Sequence, residues 1–400
     1  MKELAQRVRA QVDCAAEQQL DFLRRLVTLE TPTQAPVRTR QGLQLLAGHL
    51  QASGFRCRIL TGKCSGGQLL AIPRVRQRGQ SLQLLIGHVD TVWPCGTLAH
   101  MPLVLEGDRL KGPGVFDMKA GLCNALFALR TLQVLQLQPA LTPVVFINTD
   151  EETGSEDSLL RLCRLARIAQ RAYVMEPALD MTGKLKTARK GVGKYVITAH
   201  GIAAHAGLNP EGGASAILEL AHVVQRLFGL NDQAKGVSIN VGKIDGGLGA
   251  NVVAPRSSCE VDVRVPTAAQ GVVIDQAIRG LRSVTPGVRL GITGGLRRPP
   301  LERSPASQEL YRYAKGIAGV LGFKLEEGTA GGGSDGNHSS QYTATLDGLG
   351  AVGDGAHAQH EFVFVDQLFE RTTLLALLVM APSFTHPKED RSCKVSCALL

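Results

Sequence analysis

The sequence predicts an α/β protein: a mixed, mostly parallel sheet with helices on both faces, interrupted by an inserted ferredoxin-like α+β domain. Three observations predict it. Strand-like and helix-like segments alternate from about residue 55 to residue 175, the rhythm of a sheet wound with helices. The run Val144-Val145-Phe146-Ile147 is apolar at every position, as a strand buried on both faces requires. Beyond Thr187 the order becomes βαββαβ, that of a small two-layer unit. At 400 residues the chain exceeds the usual size of one core. The expected division is a main domain over 1–186 and 299–381, an insert over 187–298 and a flexible tail over 382–400.

In chain order, an amphipathic pattern from about Ala15 to Leu29 predicts a helix that stops near Pro32 and Pro36. A second runs from about Arg38 to Ser53 and is closed by Gly54. Short strands are expected at Phe55 to Leu60, Leu69 to Ile72 and Leu82 to Ile86. Met118 to Leu135 reads as a helix, Val144 to Asn148 as a strand, Ser155 to Ala166 as a helix capped by Ser155, and Ala172 to Met175 as a strand. The insert is expected to place strands at Lys190 to His200, Val237 to Ile244, Cys259 to Val265 and Val288 to Ile292, with helices at Ala214 to Phe228 and Ala268 to Val284. Helices at about Ser307 to Leu321 and Asp366 to Ala381 return the chain to the main domain.

Composition narrows the function classes. The formal charge of +9 is spread without a long basic run, and aromatics are only 4%, which argues against a nucleic-acid binder. Diffuse positive charge instead offsets an acidic site and draws anionic substrates. The nine cysteines are odd in number and contain no CxxC pair, so free thiols in a reducing, cytoplasmic compartment are expected. Met1 to Arg25 is charged throughout and lacks the apolar centre of a signal peptide, and no apolar stretch is long enough to span a bilayer.

The candidate site residues gather at predicted strand ends. Asn148-Thr149-Asp150-Glu151-Glu152-Thr153-Gly154-Ser155 follows the buried run directly, where ligands collect in open α/β sheets. Three adjacent carboxylates repel one another unless a cation is present, although the same stretch also reads as a solvated loop that caps a helix. His88 and Asp90 end another strand and lie on one side of it, so Asp90 can take the second ring N–H of a metal-binding His88. Asp117 stands between the turn Gly112-Pro113-Gly114 and a helix, as a metal ligand or a helix cap. Glu176 leaves a third strand before Pro177, and the loop Gly353 to Glu361 carries His357 and His360. His88, Asp117, Glu152, Glu176 and a late histidine form a mixed N/O set that suits two Zn²⁺ ions bridged by one carboxylate.

These motifs, in this order and together with Gly331-Gly332-Gly333-Ser334-Asp335, resemble the co-catalytic zinc hydrolase family. Its members include carboxypeptidase G (glutamate carboxypeptidase), aminoacylase, acetylornithine deacetylase and succinyl-diaminopimelate desuccinylase. The resemblance covers the chain from about Gln18 to Ala381. It implies two Zn²⁺ per subunit, replaceable by Co²⁺ or Mn²⁺, with Asp117 as the bridge. His88 and Glu176 would complete one site, and Glu152 and His357 the other. His357 is chosen over His360 because the family's ligand lies four residues before the glutamate of the final strand, here Glu361.

The resemblance also implies that Glu151 is the general base and that Asp90 supports His88. His205, in Gly201-Ile202-Ala203-Ala204-His205-Ala206-Gly207, would serve the oxyanion across a homodimer interface. Asn251, Arg264 and the Gly333 loop would hold the substrate's carboxylate. The expected reaction is release of a C-terminal glutamate-like amino acid from a small peptide by a metal-bridging hydroxide. Deacylation of an N-acyl amino acid is the alternative within the class, and a silent ligand-binding or membrane-tethered protein is the alternative outside it. Membrane attachment is expected only through Cys397-Ala398-Leu399-Leu400, which matches a C-a-a-X prenylation signal.

Overall fold

A computed structural model describes residues 1–77 and 79–383. The Cys397-Ala398-Leu399-Leu400 motif and nearly all of the expected tail lie outside the described residues. The chain begins with α1 (Lys2–Cys14), which the sequence reading did not foresee, then α2 (Ala16–Thr28) and α3 (Pro36–Ala52). Strands β1 (Phe55–Leu60), β2 (Gln68–Pro73) and β3 (Leu82–His88) precede the short β4 (Val104–Glu106) and β5 (Arg109–Lys111). Next come α4 (Ala120–Val134), β6 (Thr142–Asn148), α5 (Leu159–Ile168), β7 (Ala169–Val174) and β8 (Leu185–Arg189). The βαββαβ unit is β9 (Gly191–His200), α6 (Ala216–Phe228), β10 (Ser238–Gly246), β11 (Arg256–Val265), α7 (Ala268–Arg279) and β12 (Arg289–Arg298). The chain closes with α8 (Pro305–Leu321), β13 (Glu327–Ala330), α9 (Asp335–Ser339), β14 (Ala344–Leu346), β15 (Gly353–Asp354), β16 (Phe362–Phe364) and α10 (Val365–Val379).

The main sheet has the order β1-β2-β6-β3-β7-β14, with β6, β3, β7 and β14 parallel and β2 antiparallel to both of its neighbours, β1 and β6. Alternate residues of its central strands feed two cores. Leu85, Val145 and Ile147 join the larger core with α2, α3, α4 and α10, whereas Leu84, Ile86, Val144 and Phe146 face Leu162 of α5. This explains why β6 is buried at every position. Parallel pairing also sets the site. His88 pairs with Asn148, and Ile86 with Val174, so Glu176 comes level with His88 two residues beyond β7.

The second sheet has the order β10-β11-β9-β12, antiparallel throughout, the arrangement of a ferredoxin-like fold. Burial alternates along β9 and β11, and their inner residues pack with those of α6 and α7. Here the structure departs from expectation at two ends. α7 stops at Arg279 rather than reaching Val284, and β12 continues past Ile292 to Arg298. Gly294 makes the longer strand feasible: its φ is +93°, and a Cβ there would lie 2.1 Å from the Lys194 carbonyl oxygen. A register shift between Leu296 and Arg298 follows. Among the described residues no helix is long and apolar enough to cross a membrane.

Close backbone packing fixes the approach of α4 to the exit of β7. A Cβ on Gly121 would lie 1.9 Å from the Met175 carbonyl oxygen, one residue before Glu176. Gly121→Ala is therefore expected to destabilise the fold by about 1–3 kcal/mol, as overpacking does. Urea unfolding should show a lower midpoint with an unchanged m-value. An unshifted midpoint would mean that α4 can move away from β7 without cost.

Candidate metal centre

His88 ends β3 and is 2% exposed. Its Nδ1 lies 3.0 Å from the Asp90 carbonyl oxygen and 3.4 Å from Asp90 Oδ1, which holds the ring and leaves Nε2 facing the acids. Nε2 stands 3.3 Å from Asp117 Oδ1 and 3.5 Å from Glu176 Oε1. On the other side, His357 Nε2 lies 3.5 Å from Asp117 Oδ2 and 3.2 Å from Glu152 Oε2. Asp117 thus turns one oxygen to each group.

These residues fit metal ions. Ligands placed tetrahedrally at about 2.05 Å from one ion are about 3.3 Å apart. The four separations above, 3.2 to 3.5 Å, cluster around that spacing. Asp117 Oδ1 and Asp90 Oδ1 are buried with only the long contacts from the His88 ring, at 3.3 and 3.4 Å, and Glu152 Oε1 is buried without a hydrogen-bond partner, a costly state that a nearby cation relieves. Ligand-type atoms of His88, Asp117 and Glu152, and those of His88, Glu151 and Glu176, each fall within 4.8 Å of one another. Glu151 differs from the rest because its Oε1 accepts from Arg298 Nη1 at 2.5 Å, and its carbonyl oxygen accepts from Arg298 Nη2 at 2.8 Å.

Neighbouring groups hold these candidate ligands in place. Asp90 Oδ2 accepts from Thr33 Oγ1 at 2.9 Å and from the Glu152 backbone N–H at 3.3 Å, so one aspartate steadies both His88 and Glu152. Arg189 donates to Glu176 Oε2 at 3.0 Å and grips both oxygens of Asp347, at 2.7 and 3.0 Å. The cap expected from Ser155 is corrected. Ser155 has a φ of +61°, its hydroxyl donates to Asp335 Oδ1 at 2.5 Å, and the helix begins only at Leu159. Asp150 serves the start of that helix instead, through Oδ2 bonds from the Asp157 and Ser158 amides at 2.8 and 3.1 Å.

The structure brings His88, Asp117, Glu151, Glu152, Glu176 and His357 together, while His360, three residues after His357, is exposed. His205 and Asn251 sit elsewhere, on two exposed neighbouring segments joined by Ala206 N–H to Asn251 O and Val253 N–H to Ala204 O, both 2.9 Å. His205 Nδ1 accepts from the Gly207 and Leu208 amides at 3.1 and 3.2 Å, so the ring proton resides on Nε2. Arg264 has its fork engaged by Asp262 on its own strand, at 2.7 and 3.0 Å. Besides Arg189 on Glu176, Arg298 reaches the acids through Glu151, with Gly333 packed so close that a Cβ would lie 3.0 Å from Arg298 Cδ. Arg298 was not singled out from the sequence. Its one signal is its position immediately before Pro299-Pro300.

Imidazoles and carboxylates that share one aspartate, at the carboxyl ends of a parallel sheet, define a metallohydrolase. The chain belongs to peptidase family M20/M25/M40, whose model matches residues 84–381. It is 29% identical over 374 residues to carboxypeptidase G2 of Pseudomonas sp. (strain RS-16), covering 90% of this chain and 88% of that protein. Aminopeptidase PepT from Bacillus cereus has a similar fold, with a TM-score of 0.75 and 20% identity over 91% of this chain and 98% of that one. An M20 family metallo-carboxypeptidase from Sulfolobus solfataricus gives 0.71 and 14% over 90% and 98%.

Charge coupling at the site favours ligand exchange with protons. Burial disfavours a charged His88, yet its bonds to Asp117, Asp90 and Glu176 raise its pKa well above the usual value. Bonds to Asp117 and Glu152 push His357 up to about 10. Burial opposes the charge of Asp117, but His357 and His88 hold its carboxyl far below the ordinary range. At neutral pH both imidazoles of the metal-free protein therefore carry a proton that an incoming ion must displace. Calorimetric metal titrations in buffers of different ionisation enthalpy should show net proton release and an affinity that rises with pH. Proton-neutral binding would contradict this charge assignment.

Proposed function

We propose that the protein is a dinuclear zinc carboxypeptidase that releases a C-terminal glutamate-like amino acid from a small peptide. The observation that carries this reading is the divided carboxylate of Asp117, with one oxygen toward His88 and the other toward His357. His88 and Glu176 would complete one site, and His357 and Glu152 the other. Two imidazoles and a four-coordinate spacing favour zinc over harder cations. When bound, the ions supply a water of lowered pKa and polarise the scissile carbonyl.

The chain's own residues do the rest. Glu151, the proposed general base, is held by Arg298 through Oε1. Burial pushes its carboxyl up to about 8 despite Arg298, so it can both take a proton and pass it to the leaving nitrogen near neutral pH. Arg298 is the buried guanidinium beside that base, and a substrate carboxylate docked against it and the Gly333 loop would set the scissile bond next to Glu151. Arg264, whose fork is engaged by Asp262 as that of Arg298 is by Glu151, would be the second holder.

His205 has the tautomer an oxyanion donor needs, with the proton on Nε2. Its exposed loop fits a role across a homodimer, with residues 187–298 forming the lid and Asn251 beside it. Support for a dimer comes from β10, an edge strand on which Ile244 is 60% exposed and after which Leu248 is 77% exposed. The proposed cytoplasmic location rests on Cys123 and Cys259, buried, and Cys14, Cys64 and Cys95, exposed, all outside any disulfide.

Two experiments test the reading. Glu151→Gln should bind metal like the wild type and lose about 10²- to 10⁴-fold in kcat, because only the proton carrier is removed. Unchanged hydrolysis by this variant refutes the mechanism. In a substrate panel, glutamate-terminated dipeptides and pteroyl glutamates should be cleaved, and converting the terminal carboxylate to an amide should lower kcat/KM by about 100-fold or more. Faster turnover of N-acyl amino acids than of every glutamate-terminated compound would replace the carboxypeptidase reading with a deacylase.

A further inference from the structure

We infer that Glu361 is a positioning residue that sets the place of the bridging aspartate relative to His357. The inference rests on the two-metal reading above. Glu361 is 0% exposed, precedes β16 and lies four residues after His357. Its Oε1 accepts from the backbone N–H groups of Phe116 and Asp117, at 2.9 and 3.0 Å. Its Oε2 accepts from the Gly114 N–H and from Trp93 Nε1, both at 2.8 Å. The Glu361 carbonyl oxygen adds a fifth link by accepting from the Gly112 N–H at 3.2 Å.

Three segments distant in sequence therefore meet on one buried carboxylate: the loop after β3, the turn before α4 and the loop that carries His357. The amide of Asp117 itself is among the donors, so the backbone of the bridge is tied to the same short segment as His357. Every recorded partner of the carboxylate is a donor, which leaves no acceptor for a carboxyl proton and holds the group as an anion. A glutamine would present its NH₂ to two N–H donors whichever way its amide turned, and a strained loop would carry Asp117 out of line. Glu361 meets only N–H groups on this side of the site and takes no part in the chemistry. It acts through Asp117.

The test uses the full-length protein, metal-free and zinc-loaded. Glu361→Gln should still fold without metal, with a thermal midpoint lowered by the two N–H donors it leaves unsatisfied. It should weaken the less tightly held zinc by about 10- to 100-fold, read by competition with a chromophoric chelator. Its kcat should fall with KM little changed and recover in part with excess zinc, a rescue that a purely structural role would not give. Trp93→Phe removes one of the four carboxylate donors and should weaken the same ion to a smaller extent. Wild-type affinity for zinc in Glu361→Gln overturns the inference. If Glu361→Gln fails to fold, weakened zinc binding by folded Trp93→Phe sustains the inference and unchanged binding overturns it. Uptake of a single ion by the wild type would refute the two-metal reading alone, and weakening of that ion in the variants would still support the role of Glu361.

Discussion

Mutual repulsion among buried carboxylates is the constraint on which the rest of this molecule depends. Asp90, Asp117, Glu151, Glu152 and Glu176 crowd the carboxyl ends of β3, β6 and β7, and a low-dielectric setting makes such crowding costly. The fold answers from behind with two guanidinium groups. Arg189 is shared between Glu176 and Asp347, and Arg298 is clamped on Glu151. It answers from the front with His88 and His357, both of which the acids drive toward the charged form. Removing a proton from each imidazole unbalances the cluster, and a divalent cation restores the balance.

The parts of this arrangement visible in the sequence are those fixed by local pattern. A continuous apolar run marks β6, and polar residues at once after it mark the strand end where Glu151 and Glu152 emerge. His88, Asp117 and Glu176 could be placed for the same reason, each at a break between a regular element and a turn. The N-terminal helix escaped because its buried stripe is only Ala5, Val8 and Val12 among charged residues. Arg298 escaped because Gly294-Gly295 interrupts the pattern of β12, and only the neighbouring β9 shows that the strand continues.

Ser155 illustrates a different limit. Thr-Gly-Ser is a sound local start signal, yet a cap is decided by competition for the hydroxyl. Asp335, distant in the chain, takes that hydroxyl, and Asp150 takes over the amides of Asp157 and Ser158. The acidic stretch after β6 thus divides its work. Asp150 shapes the backbone, Glu151 faces Arg298, and Glu152 faces His357. Sequence neighbours at a strand end point in different directions, and only the packed structure reveals which direction each one takes.

The pairing of β3 with β6 and β7 has a consequence for how the molecule reaches its working form. Side chains alternate across a strand, so sliding β3 by one residue would exchange Leu84 and Ile86 with Leu85 between the two cores and turn His88 to the wrong side. A misthreaded sheet would bury the wrong faces and lose its imidazole in the same step. The metal site proposed at His88 would in this sense be a proofreading mark, formed only in chains whose central strands have aligned correctly.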